Sequence, residues 1–350
     1  MMLAGIGSAP AQEETTMADA PVYRDHHHLL HVLDEGGDRQ PVTSVDQWLV
    51  RRDHILANMQ RVMGRQPGDE RRVALDMEVL EQESGDGWMR RKITYASEPG
   101  DRVPAYLLVP VNLEGPAPGM LCLHQTTSIG KSEPAGMGPK ENLHYALELV
   151  QRGYVTLAPD YPGYGDYDID PYAMGYASAT MKGIWNHQRA IDLLQWLPEV
   201  DPERIGAVGH SLGGHNALFV AAFDERVQAV ITSCGFNSFF KYKHGDLTGW
   251  SHRGYMPRIT EEYDADPARM PFDFTEVLGA IAPRHVFINA PTEDANFELS
   301  GVIDCIEAAM PVYKLYGATD HLVAVHPECG HDFPAEIREQ AWQFVQRVLR

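Results

Sequence analysis

One hexapeptide in the chain has the residue types and spacing of a serine nucleophile held under backbone strain: Gly209-His210-Ser211-Leu212-Gly213-Gly214. It lies between an apolar run, Ile205 to Val208, and a helical stretch, Leu212 to Ala222, so Ser211 falls on a sharp strand-to-helix turn. Glycines two residues to either side remove Cβ atoms that would collide with neighbouring backbone, and the turn drives the hydroxyl clear of the strand ends. The same turn aims the first helical N–H groups at the reacting centre, which makes the Leu212 N–H a donor to a developing oxyanion. A serine needs a base, and the base needs an orienting acid. Downstream, Leu322 to His326 reads as a strand running into Pro327-Glu328-Cys329-Gly330-His331-Asp332, where His331 is the candidate base. His285 to Ala290 reads as a strand running into Pro291-Thr292-Glu293-Asp294, which offers two acids; Asp294 is taken in preference to Glu293. The order nucleophile, acid, histidine is one of the known triad orders.

The elements that must position these residues alternate in a simple way. After a polar arm of about forty residues, Trp48, Ile55, Met59 and Met63 recur at helical spacing and Gly64 is a stop, predicting a helix over Val45 to Met63. A β pattern follows: Val73 to Leu80, a Gly85-Asp86-Gly87 turn, Trp88 to Ala96, a Pro99-Gly100-Asp101 turn, and Val103 to Val109. That is an antiparallel meander. Strands at Met120 to Leu123, Val155 to Ala158, Ile205 to Val208, Val227 to Thr232, His285 to Ala290 and Leu322 to His326 then alternate with helices near Leu143 to Gln151, Met181 to Leu197, Leu212 to Ala222, Gly301 to Tyr316 and Ala335 to Val348. Such alternation predicts a mostly parallel, doubly wound central sheet with antiparallel N-terminal strands and helices on both faces. The expected organisation is an N-terminal arm and helix over 1–66 and a catalytic domain over 67–350. The stretch 235–282 is too long for a plain connection and is read either as a lid insertion or, equally, as the core of an extra helix pair.

Composition narrows the function classes. The 350 residues carry a formal net charge of -20, with 44% hydrophobic and 22% charged residues, and mean hydropathy is -0.31. That balance argues against nucleic acid or an anionic membrane as partner, since both need clustered Lys and Arg. No apolar stretch approaches the roughly 18 residues that span a bilayer. The four cysteines, Cys122, Cys234, Cys305 and Cys329, lack metal-ribbon spacing and read as free thiols. The cluster His26, His27, His28 and His31 lacks a paired-carboxylate pattern, so no metal is expected. Gly130-Lys131-Ser132 resembles the end of a phosphate-binding loop, but Gln125 stands where that loop needs Gly, and no nucleotide cofactor is expected. Met1 to Gln12 has a cleavage-like Ala-Pro-Ala without a basic start, which favours a cytoplasmic protein over one exported on a truncated signal; Met17 is an alternative start.

Beyond the elbow, Pro99-Gly100-Asp101-Arg102-Val103-Pro104-Ala105-Tyr106-Leu107, Ala158-Pro159-Asp160-Tyr161-Pro162-Gly163-Tyr164-Gly165 and Gly330-His331-Asp332-Phe333 complete a set of motifs. With them the chain resembles esterases of the α/β-hydrolase superfamily, dienelactone-hydrolase-like and acetyl-xylan-esterase-like, from about Val73 to the end. The resemblance implies Ser211, Asp294 and His331 as the triad, no cofactor, and as substrate a short acyl ester, acetyl-type, of a small molecule or carbohydrate. It also places a second oxyanion donor after the strand ending at Leu123, where the chain reads His124-Gln125-Thr126-Thr127. Gln125 replaces the usual Gly, so the Thr126 N–H is the expected donor and Gln125 the fallback. Tyr164, Phe236, Trp250 and Tyr255 are candidate substrate contacts. The competing readings are a single-domain serine peptidase of prolyl-oligopeptidase type and a binding protein without catalysis on the same scaffold. Oligomeric state has no sequence signature here.

Overall fold

The computed structural model describes residues 20–349. The export-signal reading of Met1 to Gln12, and Met17 as a start, lie outside them. A nine-stranded sheet organises the chain, and its central strands are apolar on both faces because helices cover both. In chain order the strands are β3 (Glu78–Ser84), β4 (Trp88–Glu98), β5 (Asp101–Pro110), β6 (Ala117–Leu123), β7 (Val155–Pro159), β8 (Val200–His210), β9 (Val227–Ser233), β10 (His285–Asn289) and β11 (Leu322–Val325). Their spatial order is β11-β10-β9-β8-β6-β7-β5-β4-β3. Pairing is antiparallel from β3 through β4 and β5 to β7 and parallel from β7 to β11. The expected meander and doubly wound sheet are both present. Carboxyl ends of β6, β8, β9, β10 and β11 therefore open toward one edge, where ligands of such sheets bind.

The arm is more structured than its composition indicated. β1 (His31–Leu33) and β2 (Arg39–Pro41) form a small antiparallel ribbon. Ser44 caps α1 (Val45–Met63), its side chain accepting from Gln47 N–H while the Gln47 side chain accepts from the cap backbone. Within the arm, His26 is buried with Arg51 of α1 against Glu276 of α6 (Phe274–Ile281). The remaining helices are α2 (Tyr145–Gln151), α3 (Ala179–Trp196), α4 (Leu212–Phe223), the single-turn α5 (Arg258–Glu261), α7 (Leu299–Leu315) and α8 (Ala335–Val348).

The first strand of the nine-stranded sheet, β3, starts later than expected, at Glu78 rather than Val73. All seven residues of β3 are exposed, so an edge strand with no buried face left no alternation to read. The Pro99-Gly100-Asp101 turn, in contrast, has a packing role: Lys182 of α3 is fully buried and donates to Ser97 Oγ at 3.1 Å, Glu98 Oε1 at 2.6 Å and Asp101 Oδ2 at 2.7 Å. This buried ion cluster bolts α3 to the β4–β5 turn, and removing one partner would strand the other charges out of water.

Candidate active site

Backbone geometry at the elbow follows from its glycines. Ser211 has φ 54 and ψ -117, left-handed for a residue with a Cβ, and only its fixed neighbours hold it there. A Cβ on Gly209 would lie 2.2 Å from Gly213 backbone, and one on Gly213 would lie 1.8 Å from Leu123 O. Those absences let α4 start directly against the end of β6, bringing Ser211 beside the loop that follows Leu123. Gly214 and Gly235 abut in the same way, 2.7 Å from a Cβ built on Gly214 to Gly235 Cα.

His331 and Asp294 are brought together as expected. The ring Nδ1–H donates to Asp294 Oδ2 at 2.9 Å and lies 3.1 Å from Oδ1. Burial alone would raise the Asp294 carboxyl. The hydrogen bond and charge of His331, with the N–H groups of Phe297 and Asn296, outweigh it and hold the acid below its ordinary value. Glu293, the rejected alternative, is exposed. Two loops are zipped to make the pair: Thr292 N–H donates to Pro327 O at 3.0 Å and Glu293 N–H to Cys329 O at 3.1 Å. Asn289 Nδ2 ties the His331 loop to β9, donating to Asp332 O at 2.9 Å and Ser233 Oγ at 2.8 Å. Among the described residues Ser211 Oγ makes no hydrogen bond with the His331 ring, a gap that commonly closes only with substrate bound.

His210 packs edge-on against His331 with ring centroids 4.7 Å apart, and Ser233 Oγ holds its Nδ1 at 2.9 Å. Cys234, in a left-handed conformation at φ 48, sends its thiol to Asp332 O at 3.4 Å. His210, Cys234 and His331 place donor atoms within 4.8 Å of one another. A metal there would need a thiolate from Cys234, whose thiol burial pushes well up, and would compete for an imidazole already bound to Asp294. Neither His210 nor Cys234 was picked out from sequence as a neighbour of His331, because only the fold brings them there.

The loop after β6 is braced from inside. His124 Nδ1–H donates to Gln125 O at 2.7 Å, and its Nε2 accepts from Tyr161 N–H at 3.0 Å. The Gln125 side chain turns inward to Glu133 Oε2 at 2.9 Å. Lys131 is buried against Asp160 at 2.6 Å, and its own N–H also donates to that carboxylate at 2.8 Å. The Gly-Lys-Ser stretch is thus a structural brace. Neither Thr126 nor Leu212 has a hydrogen-bond partner for its backbone N–H among the described residues, which is the condition an oxyanion donor must meet.

Of the four candidate substrate contacts, Tyr164 and Tyr255 are part exposed, with hydroxyls directed at Thr126. Phe236 and Trp250 are instead 1% and 2% exposed, their rings packed on Phe274. An open cavity of about 450 Å³ borders His331; it is also lined by Lys140, Glu141, Asn142, His210 and Asp332 among others. No described helix is long and apolar enough to cross a membrane.

Among known proteins, the chain is similar to hydrolases and esterases. A family model for fungal glucuronyl esterases matches residues 167–317, less than half of the chain. A putative hydrolase of Bacillus subtilis, YtaP, is 28% identical over 263 residues, 71% of this chain and 84% of that protein. A 4-O-methyl-glucuronoyl methylesterase of Wolfiporia cocos is 25% identical over 192 residues, 49% of this chain and 47% of its own length. In structure, a glucuronoyl esterase from Solibacter usitatus superimposes with a TM-score of 0.74 at 21% identity, covering 94% of this chain and 99% of that one. These likenesses bring forward glucuronoyl esterases beside the acetyl-xylan-esterase-like proteins expected from sequence, and they lend no support to the cytoplasmic expectation. The chain thus has the α/β-hydrolase fold, and its relatives by sequence and structure mark it as a serine hydrolase of the esterase kind.

Proposed function

We propose that the chain hydrolyses carboxylic esters of carbohydrates through an acyl-enzyme on Ser211, with His331 as general base, Asp294 as its orienting acid, and the N–H groups of Leu212 and Thr126 receiving the oxyanion. The observation that carries this reading is the buried Asp294 carboxylate bonded to His331 Nδ1 at 2.9 Å, behind a strained serine. That bond leaves Nε2 of the ring unprotonated and free to accept. As Ser211 Oγ bonds to the ester carbon, its proton passes to Nε2 and the carbonyl oxygen takes the negative charge. Collapse of the intermediate expels the alcohol, which takes the proton from Nε2. Water, deprotonated by the same nitrogen, then releases the acid and restores Ser211.

A sugar fits the surroundings better than a long acyl chain. The cavity beside His331 is bordered by Lys140, Glu141 and Asn142, donors and acceptors suited to hydroxyl groups. Relatives named as glucuronoyl methylesterases and glucuronyl esterases point to a sugar acid as the acyl part, with the acetylated sugar as the other arrangement of the same bond. Fluorophosphonate labelling of wild type and Ser211→Ala, beside hydrolysis of methyl glucuronate, an acetylated xylose and p-nitrophenyl octanoate, tests the proposal. Labelling confined to the wild type and turnover of a sugar ester well above the octanoate are expected. An unlabelled, folded wild type would overturn the mechanism, and octanoate as best substrate would overturn the sugar assignment.

A further inference from the structure

Among the described residues, the segment over 235–282 meets the proposed catalytic groups at one polar contact. Tyr255 OH lies 3.1 Å from Thr126 Oγ1, on the residue whose backbone N–H is the second oxyanion donor in the reading above. Both ends of that contact are informative. On the loop side, the Thr126–Ser128 stretch is exposed to half-buried and is otherwise held, among the described residues, by the Tyr164 hydroxyl directed at Thr126 and by Gly130 N–H on Thr127 O at 3.2 Å. On the insertion side, Tyr255 is a fixed point. Its N–H donates to His252 O at 2.8 Å, its carbonyl accepts from Thr180 N–H at 3.4 Å, and the preceding carbonyl, Gly254 O, accepts from Tyr161 OH at 3.1 Å. Its ring rests on His252 and His215, with centroids 4.2 Å and 5.5 Å away. A rigid hydroxyl therefore grips a loosely held donor.

An oxyanion donor works only when it is aimed before charge develops, because turning it during the reaction spends the electrostatic gain. We infer that Tyr255 is a positioning residue for catalysis, whose hydroxyl fixes the direction of the Thr126 N–H, and that presenting it is the catalytic role of the insertion. The inference rests on the proposed use of Thr126 as a donor. It assigns Tyr255 to the transition state rather than to substrate binding.

The test is a double-mutant cycle on Tyr255→Phe and Thr126→Val, with Thr126→Ser as the conservative control, all read with a short p-nitrophenyl ester. Expected is a fall in kcat of about tenfold for each single variant, with KM within about twofold and a double variant no slower than the worse single. Thr126→Ser, which keeps the hydroxyl, recovers most of the kcat that Thr126→Val loses. The acid limb of the kcat/KM profile stays where it is, since His331 is untouched, while the rate of fluorophosphonate labelling falls in parallel with kcat. Unchanged kcat in Tyr255→Phe, multiplicative losses in the double variant, or a rise in KM alone would each overturn the inference. Failure of wild-type labelling, by contrast, would fall on the esterase reading itself, so the two failures separate.

Discussion

At the scale of single residues, the site depends on groups whose replacement has a definite sign. Asp294→Asn keeps the volume but offers an amide that can turn its NH2 toward His331, favouring the wrong tautomer for accepting the Ser211 proton. A drop in kcat on the order of 10⁴ is expected, with thermal unfolding within a few degrees of wild type; near-normal turnover in a folded variant would remove Asp294 from the triad. Gly213→Ala acts through space instead of charge. Its Cβ would sit 1.8 Å from Leu123 O, a backbone atom that cannot rotate away. Either α4 or the oxyanion loop must move, so loss of both labelling and several degrees of stability is expected, readable by calorimetry beside the labelling gel.

At the scale of elements, the insertion is the segment where sequence and structure differ most in what they convey. Its aromatics were legible as apolar residues, and their number as a sign of something beyond a connection. Whether they faced a pocket or a core was not, because Phe236, Phe239 and Trp250 find their partners on α6 and α4, some twenty to forty residues away. Phe239, Met256, Ile259, Met270 and Phe272 are likewise fully buried. A segment so packed opens only with the core, which argues for a fixed wall rather than a mobile lid. Hydrogen exchange should find the backbone around Phe239 and Trp250 as protected as α4 without ligand, and Trp250→Ala should cost about 3 to 5 kcal/mol in denaturant unfolding. Rapid exchange there would restore the lid. The sheet and its helices, by contrast, were legible nearly to their ends, because strands buried on both faces and helices with one buried stripe write their periods into the chain. Ser211 was legible for a related reason, lying directly after such a strand, β8. The brace made by Lys131 and Asp160 was not, since nothing local links residues 29 positions apart.

At the scale of the whole molecule, the buried histidines set a direction for stability with pH. Burial, aided by the charge of His124, pushes His187 down to about 3. Burial pushes His215 down to about 3 as well, against the pull of its Gly235 carbonyl, and holds His210 well below its ordinary value, with His331 adding to the effect. An unfolded imidazole titrates near 6.5. Below that pH the unfolded chain takes up protons on these three rings that the native protein refuses, so acid favours unfolding. Asp273 works the other way: burial raises it to about 6 against the charge of His26 and the N–H groups of Phe239 and Phe274. At pH 5 the native state therefore holds one proton there that the unfolded chain has lost. Three imidazoles against one carboxyl leave these four groups with a net uptake of protons on unfolding at pH 5. Stability should consequently fall steeply below neutrality. Denaturant melts at pH 7, 6 and 5 measure this directly, and a flat or rising midpoint would show that these imidazoles are not neutral in the fold. Two of the three, His210 and His215, flank Ser211 on β8 and α4. Protonating either puts an uncompensated charge beneath the elbow, so labelling of Ser211 in acid should decline together with unfolding and return on neutralisation.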